Sequence, residues 1–249
     1  MPTASYSLII SDLHLSEDHP ETTALFFDFL KNKAAQADAL YILGDLFEYW
    51  IGDDDCSAFN QSIIDALKQI SMQGVKLFIM RGNRDILLGK RFAHMTGGTL
   101  LKDPTVAEFY QHKMLLMHGD LLCTNDVEYL KWRKVGYWAN GLIPWLLLRL
   151  PLSWRRKIAL KLRQASKQHY QQRQQTGRGT VDVTEHGVLQ AFPLHCYMLI
   201  HGHTHRMGIY YYPEQRKRIV LGDWHNSGSY VEITPSEINL TVFQGSAHV

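Results

Sequence analysis

A short apolar run that ends in residues able to bind a metal ion occurs five times along this 249-residue chain. Residues 6–10 lead into Ser11-Asp12-Leu13-His14, and residues 39–43 into Gly44-Asp45. Residues 75–80 lead into Arg81-Gly82-Asn83-Arg84-Asp85, 114–117 into His118-Gly119-Asp120, and 196–200 into His201-Gly202-His203-Thr204-His205. Apolar runs this short, bounded by Gly or Asp, read as buried strands. Helical patterns separate the first of them. Residues 22–35 place Leu25, Phe26, Phe29 and Leu30 on one face, and residues 59–70 do the same with Ile63, Ile64, Leu67 and Ile70. Strand and helix in alternation predict an α/β fold with a parallel or mixed sheet. All five polar clusters then fall at the carboxyl ends of strands, where such sheets gather their ligands. Runs at 218–221, 229–234 and 238–243 read as a closing antiparallel section. Without an internal repeat or a low-complexity linker, residues 1–249 are expected to form one domain.

Bulk properties narrow the setting. A chain that is 45% hydrophobic and of this length can bury a substantial core. The net charge of +2 says little about partners, so the distribution of charge has to be examined instead. Cys56, Cys123 and Cys196 cannot all pair with one another and lack C-x-x-C spacing. A disulfide framework is therefore not expected, which suits a reducing compartment. The start, MPTASYSLIISDLH, lacks the features of a signal peptide. No run reaches the roughly 18–20 apolar residues that span a bilayer. The cytoplasm is the expected location and a monomer the expected state.

The candidate metal ligands are Asp12, His14, Asp45, Asn83, His118, His203 and His205. Imidazole and carboxylate together suit manganese, iron or zinc. In an extended segment Asp12 and His14 would point the same way, as would His203 and His205, with His201 facing away as a structural residue. Asp45 could bridge two ions. Two metals roughly 3.5–4 Å apart can hold both the attacking and the leaving oxygen of a phosphoryl displacement. One histidine beside a strand is more often structural than a ligand, but the whole set, in order and each at a strand end, is far more specific.

These motifs resemble the calcineurin-like metallophosphoesterases. Asp12-Leu13-His14, Gly44-Asp45, Gly82-Asn83-Arg84-Asp85, His118 and Gly202-His203-Thr204-His205 carry the likeness, over residues 12 to 205. The resemblance implies a four-layer α/β/β/α sandwich. It also implies one metal held by Asp12, His14, Asp45 and His205, a second held by Asp45, Asn83, His118 and His203, and a metal-activated water as nucleophile. Most of that superfamily has histidine after the asparagine, where this chain has Arg84. Arginine cannot donate a proton at neutral pH, but it can hold phosphate oxygens and offset their charge. A phosphate leaving group needs little protonation, since its second pKa is about 6. Arg84 therefore favours pyrophosphate cleavage over that of a simple alkyl ester, unless it only anchors a nearby loop.

Between Glu128 and Asp182 there is no acidic residue, yet those positions hold 12 of the chain's 26 Lys and Arg residues. Within this insert, at about 124–181, lies GLIPWLLLRLPL, too short to cross a bilayer. After it, residues 154–168 look helical. An apolar segment beside a basic helix suits an anionic membrane surface, or a cap over acyl chains and an anionic head group. Solvated helices packed on the core are the plainer alternative. A nucleic-acid surface fits less well, because the side chains of residues 145–148 gain little from a sugar-phosphate backbone.

Further segments resemble one branch of the superfamily, the UDP-2,3-diacylglucosamine hydrolases of the lipid A pathway. They are Leu43–Glu48 as LGDLFE, residues 50–55 as WIGDDD, residues 88–92 as LGKRF, Met117-His118-Gly119-Asp120, Cys123-Thr124-Asn125-Asp126 and residues 200–206. The likeness runs nearly end to end and includes the insert. It implies attack of water on the α-phosphate of UDP-2,3-diacylglucosamine, giving UMP and 2,3-diacylglucosamine 1-phosphate. Two Mn²⁺ per chain and a peripheral place on the cytoplasmic face of the bacterial inner membrane are implied with it. Asn83, Arg84 and His118 would be catalytic. Substrate would meet Asn83, Arg84, Asp126, Ser166, Tyr170, Arg173 and His203. Tyr170 and Arg173 depart from the family's usual asparagine and lysine, and Asp126 could equally cap a helix at 127–135. The competing functions are a nuclease or nucleotide phosphodiesterase on the same fold, an inactive scaffold that has lost metal ligands, and a protein phosphatase. Arg84, the apolar insert and the complete ligand set count against them.

Overall fold

In a computed structural model, which describes residues 5–138, 142–175 and 182–245, the chain forms two facing sheets with helices outside them. The first half runs β1 (Ser7–Ile10), α1 (Pro20–Asn32), β2 (Ala39–Leu43), α2 (Ala58–Met72), β3 (Lys76–Met80), α3 (Lys90–Thr96) and β4 (Thr99–Leu100). There follow β5 (Thr105–Phe109), β6 (His112–Leu116), α4 (Val127–Trp138), α5 (Leu142–Leu148), α6 (Leu152–Gln175) and α7 (Glu185–Ala191). The chain closes with β7 (Met198–His201), β8 (Gly208–Tyr212), β9 (Arg216–Val220), β10 (Gly228–Ile233) and β11 (Ile238–Phe243).

Among the described residues the first sheet has the order β11-β10-β1-β2-β3-β4 and the second β5-β6-β7-β9-β8. Strands β1 to β4 are mutually parallel, as are β6, β7 and β9. Parallel neighbours end at the same edge, so the loops after β1, β2 and β3 gather on one side and those after β6, β7 and β9 do likewise. Antiparallel pairing is confined to β10 with β1 and β11, and to the hairpins β5–β6 and β8–β9. The run at 218–221 is thus only partly what its pattern predicts. It pairs antiparallel with β8 but parallel with β7, because the β8–β9 hairpin returns the chain beside β7. β8 itself escapes prediction, since Ile209, Tyr210 and Tyr211 are all exposed and show no inward–outward alternation.

Alternation along the strands builds three apolar layers between four structural ones. Leu8, Ile10, Leu40, Ile42, Leu77 and Ile79 face Phe26 and Phe29 of α1, Ile63 and Leu67 of α2, and Phe92 of α3. The intervening residues Ile9, Tyr41, Leu43 and Met80 face the second sheet through Met114, Leu116, Ile200 and Ile219. Leu115 and Leu199, on that sheet's far side, meet Val188 and Phe192 at α7. Each fully buried large apolar side chain here contributes roughly 1.5–3 kcal/mol relative to exposure. Helix α1 starts with Pro20 in its first turn, where a missing N–H costs nothing. Ser57 caps α2 by accepting from Asn60 N at 3.2 Å.

Helices α4, α5 and α6 occupy the acid-free stretch, and no described helix is long and apolar enough to cross a membrane. Their arginines are not simply solvated. Arg155 donates to Asp54 Oδ1 at 2.7 Å and to the Ile51 carbonyl at 2.8 Å, and Arg156 lies 3.6 Å from Asp55. Arg133 on α4 meets Asp103 and Asp120, and Arg163 on α6 meets Glu48. Acids missing from the insert's own sequence are supplied by the rest of the chain. The run of three acids after Gly52 is absorbed in this way, with Asp53 accepting from Gly89 N and Phe92 N at the start of α3. Trp145, Leu146, Trp154, Leu160 and Leu162 remain exposed.

Candidate metal centre

All seven predicted ligands converge where the two sheets present their strand ends. Backbone hydrogen bonds zip the loops together: Asp12 N to Gly44 O (3.2 Å), His14 N to Asp45 O (3.0 Å) and Gly202 N to His118 O (2.9 Å). His203 N donates to Asp12 Oδ2 at 2.9 Å, which joins the last loop of one sheet to the first loop of the other. The expectation that Asp12/His14 and His203/His205 share a side through extended alternation is incorrect. Asp12, His14, Asp45, His203 and His205 all have positive φ, at 57°, 52°, 51°, 66° and 56°. They lie in tight left-handed turns, a conformation costing about 1–2 kcal/mol per residue and tolerated best by Asn and Asp among side chains with a Cβ. The close approach of the loops also needs glycine. A Cβ on Gly82 would meet Asp45 Oδ1 at 2.1 Å, and one on Gly202 would meet Asp12 Oδ2 at 2.0 Å.

The ligand atoms form two overlapping groups. Asp12, His14 and His205 can place one ligand atom each within 4.8 Å of the others, as can Asp12, Asp45 and His118. Asn83 Oδ1 lies 2.9 Å from His118 Nε2 and 3.0 Å from His203 Nδ1. Asp45 Oδ1 is 3.7 Å from His118 Nε2, and Asp45 Oδ2 is 4.0 Å from His14 Nδ1, so this carboxylate stands between the groups. Supporting contacts aim the rings. His118 Nδ1 faces the Leu43 carbonyl at 3.0 Å, which leaves Nε2 turned to the site. His205 Nδ1 lies 3.5 Å from Asp223 Oδ2.

Two observations fit this set to cations. Asp12 Oδ1 and His14 Nδ1 are buried without a hydrogen-bond partner, an arrangement that is costly unless something else satisfies them. His14 Nε2 and His205 Nε2 face each other at 3.2 Å, so in the metal-free protein one ring must donate to the other. Electrostatics agree. Burial opposes charge on His118, yet Asp45, Asp120, Asp12 and Asp103 push its pKa up to about 9. Burial likewise opposes charge on His205, but the neighbouring carboxylates of Asp12 and Asp223 raise it to about 10. His203 goes the other way, to about 4, through burial and the charge of His118. The metal-free centre thus holds protons that a divalent cation displaces on binding. Oxygen and nitrogen donors of this kind suit first-row divalent metals, and the residues present fit a dinuclear site.

The site borders a cavity of about 820 Å³. Arg84, Asp126 and Ser166 line it, together with Asn83 and His203. Asp126 also caps α4, accepting from Tyr129 N at 3.3 Å, so the capping alternative holds alongside its place on the cavity. Tyr170 and Arg173 fall on α6, but their side chains lie outside the described part of the structure. His201 is buried against the Gly202 carbonyl and Arg218, as a structural residue should be.

From sequence, no chemistry attaches to Asp85 or Glu48, and Asp223 reads as structural, near the site at most. Asp85 accepts from Gly82 N at 2.7 Å and Leu46 N at 2.9 Å, stitching two ligand loops together. Burial and the neighbouring Asp45 charge push its pKa up to about 6. Its place beside Asn83 and Arg84 was the available signal. Asp223 follows β9 as the other acids follow their strands, but the run before it was treated as sheet closure. Glu48 gives no periodic signal at all.

A family profile for calcineurin-like phosphoesterases matches residues 7–207. A UDP-2,3-diacylglucosamine hydrolase of Pseudomonas fluorescens strain Pf-5 is 45% identical over 240 residues, covering 95% of this chain and 94% of the relative. One from Aeromonas hydrophila is 46% identical, covering 94% and 97%, and one from Azotobacter vinelandii is 43% identical, covering 95% and 98%.

Proposed function

This chain belongs to the UDP-2,3-diacylglucosamine hydrolase family of calcineurin-like phosphoesterases, and from that membership we propose that it cleaves the pyrophosphate bond of UDP-2,3-diacylglucosamine. Water attacks the α-phosphate, and UMP and 2,3-diacylglucosamine 1-phosphate leave, as a step of lipid A biosynthesis. One observation carries this reading: five of the seven ligands, His14, Asp45, Asn83, His203 and His205, line a cavity together with the guanidiniums of Arg84 and of Arg163 from the basic insert.

Asp12, His14, Asp45 and His205 would hold one cation, and Asp45, Asn83, His118 and His203 the other, with manganese as the metal. Bound there, the ions supply Lewis-acid charge and lower the pKa of a water. Arg84 binds phosphate oxygens and offsets the charge that grows on them. It supplies no proton, and the departing sugar 1-phosphate needs none. Asn83 and His203 lie at the head of the cavity, where the reacting phosphate sits. Asp126 meets the glucosamine, and Ser166, Tyr170 and Arg173 are further substrate contacts carried over from the family resemblance. The insert takes the acyl chains, and its exposed tryptophans and leucines rest on the cytoplasmic face of the inner membrane.

Phosphorus NMR in water enriched in oxygen-18, with manganese, substrate and detergent, tests the reaction. Label in UMP is the expected result. No turnover at full metal content, or label in the lipid product, overturns the reading. The Arg84→His variant is expected to lose roughly 10²-fold or more in pyrophosphate cleavage, the scale of one transition-state donor, and to gain relative activity on an alkyl phosphodiester. An unchanged ratio of the two activities removes Arg84 from the mechanism.

A further inference from the structure

Glu48 lies three residues beyond Asp45, in the loop after β2. Its backbone is pinned, with Glu48 N donating to Leu15 O at 3.0 Å. Its carboxylate divides between two guanidiniums. Oε2 accepts from Arg84 Nη1, and Oε1 accepts from Arg163 Nε on α6. Arg84 and Arg163 are brought together across 79 positions of sequence by this one side chain, and all three residues line the cavity. Two adjacent guanidiniums repel, so they stay side by side only with an anion between them. Arg84 also has a competing partner, since its Nε lies 3.5 Å from Asp45 Oδ2, on the carboxylate that stands near both His14 and His118.

We propose that Glu48 is a positioning residue that bridges Arg84 and Arg163 into a paired anchor for a diphosphate, and so couples α6 to the reaction centre. The proposal rests on the diphosphate substrate proposed above. Each guanidinium offers five N–H donors in a fixed fork, and each gives one to Glu48. Without the bridge Arg84 is drawn to Asp45, and α6 loses its contact with the Arg84 loop. A shorter carboxylate cannot reach both partners, so position as well as charge matters at residue 48.

Calorimetric binding of UDP to the metal-loaded protein tests this independently of turnover. Glu48→Gln and Arg163→Gln should each weaken UDP binding about 10-fold, and the double variant should be no weaker than Glu48→Gln alone, because Glu48→Gln already removes the link to Arg163. Glu48→Asp should behave like Glu48→Gln. In turnover of UDP-2,3-diacylglucosamine, the same variants should raise KM more than they lower kcat, with metal content at the wild-type level. Losses that multiply in the double variant, wild-type binding in Glu48→Gln or Glu48→Asp, or no UDP binding by the wild type would each overturn the bridge. If the wild type binds UDP with the expected non-additivity yet fails to hydrolyse the lipid substrate, the bridge stands and the substrate assignment falls.

Discussion

Replacing Asp45 by asparagine is expected to lower turnover by at least about 10³-fold while the chain stays folded, a loss of about 4 kcal/mol in transition-state stabilisation. The substitution is chosen for the backbone. Asp45 has φ of 51°, and asparagine is among the few side chains that accept this region. It is also chosen for space, since Gly82 packs directly against this side chain and leaves no room for a larger one. Asparagine keeps an oxygen to accept Arg84 N, which Asp45 Oδ1 does at 2.9 Å. What it removes is the negative charge standing between the two ligand groups. Metal content measured by elemental analysis should fall. Two opposing changes act on the metal-free fold: loss of the Asp45 charge relieves Asp85, whose ionisation it opposes, and removes support for a charged His118. Wild-type metal content and turnover in this variant would remove Asp45 from the centre.

The contrast between Asp45 and Glu48 indicates what a sequence of this kind discloses. The ligands were legible because each terminates an apolar run, and strand ends in parallel sheets must gather. Their direction, however, does not come from strand alternation, since all but Asn83 and His118 have positive φ. An extended segment and a left-handed turn both bring residues two apart to one side, so the right grouping of Asp12 with His14 came from the wrong geometry. Helices α1 and α2 were legible from a 3.6-residue period, and β8 was not, because an edge strand with three exposed large side chains has no buried face to mark it. Least legible was the ion pairing of the insert. Arg155 and Asp54, or Arg163 and Glu48, are about a hundred positions apart, and charge pairing leaves no periodic trace. The acid-free stretch therefore reads as an anionic-surface helix, a cap over the substrate or solvated helices packed on the core, and none of these anticipates that four of its arginines face acids elsewhere in the chain.

The largest stability effect is expected at one of those arginines. Arg133→Met should destabilise the metal-free protein by about 3–5 kcal/mol, the usual scale for removing one partner of a buried ionic cluster. Arg133 Nη2 lies 2.5 Å from Asp103 Oδ2, and Nη1 lies 2.7 Å from Asp120 Oδ1. All three side chains are almost completely buried. Methionine fills similar volume without charge, so the loss reflects two carboxylates left facing each other rather than a cavity. Asp103 is already held above the ordinary carboxylate range by burial and by the Asp120 charge, with Arg133 opposing them. Without Arg133 the Asp103 carboxyl rises further. A folded-state pKa raised above the unfolded value costs stability at pH above it, and the cost disappears as pH falls through it. The gap between variant and wild type should therefore be full near neutrality and shrink as the solution is acidified. Asp103 Oδ1 also accepts from His118 N at 3.2 Å, so the damage reaches a metal ligand. Urea unfolding at several pH values measures the effect, and adding Asp120→Asn to Arg133→Met should recover part of it. A neutral-pH difference under about 1 kcal/mol, below even the modest net value of a single hydrogen bond, would mean that Arg133 does not hold this cluster together.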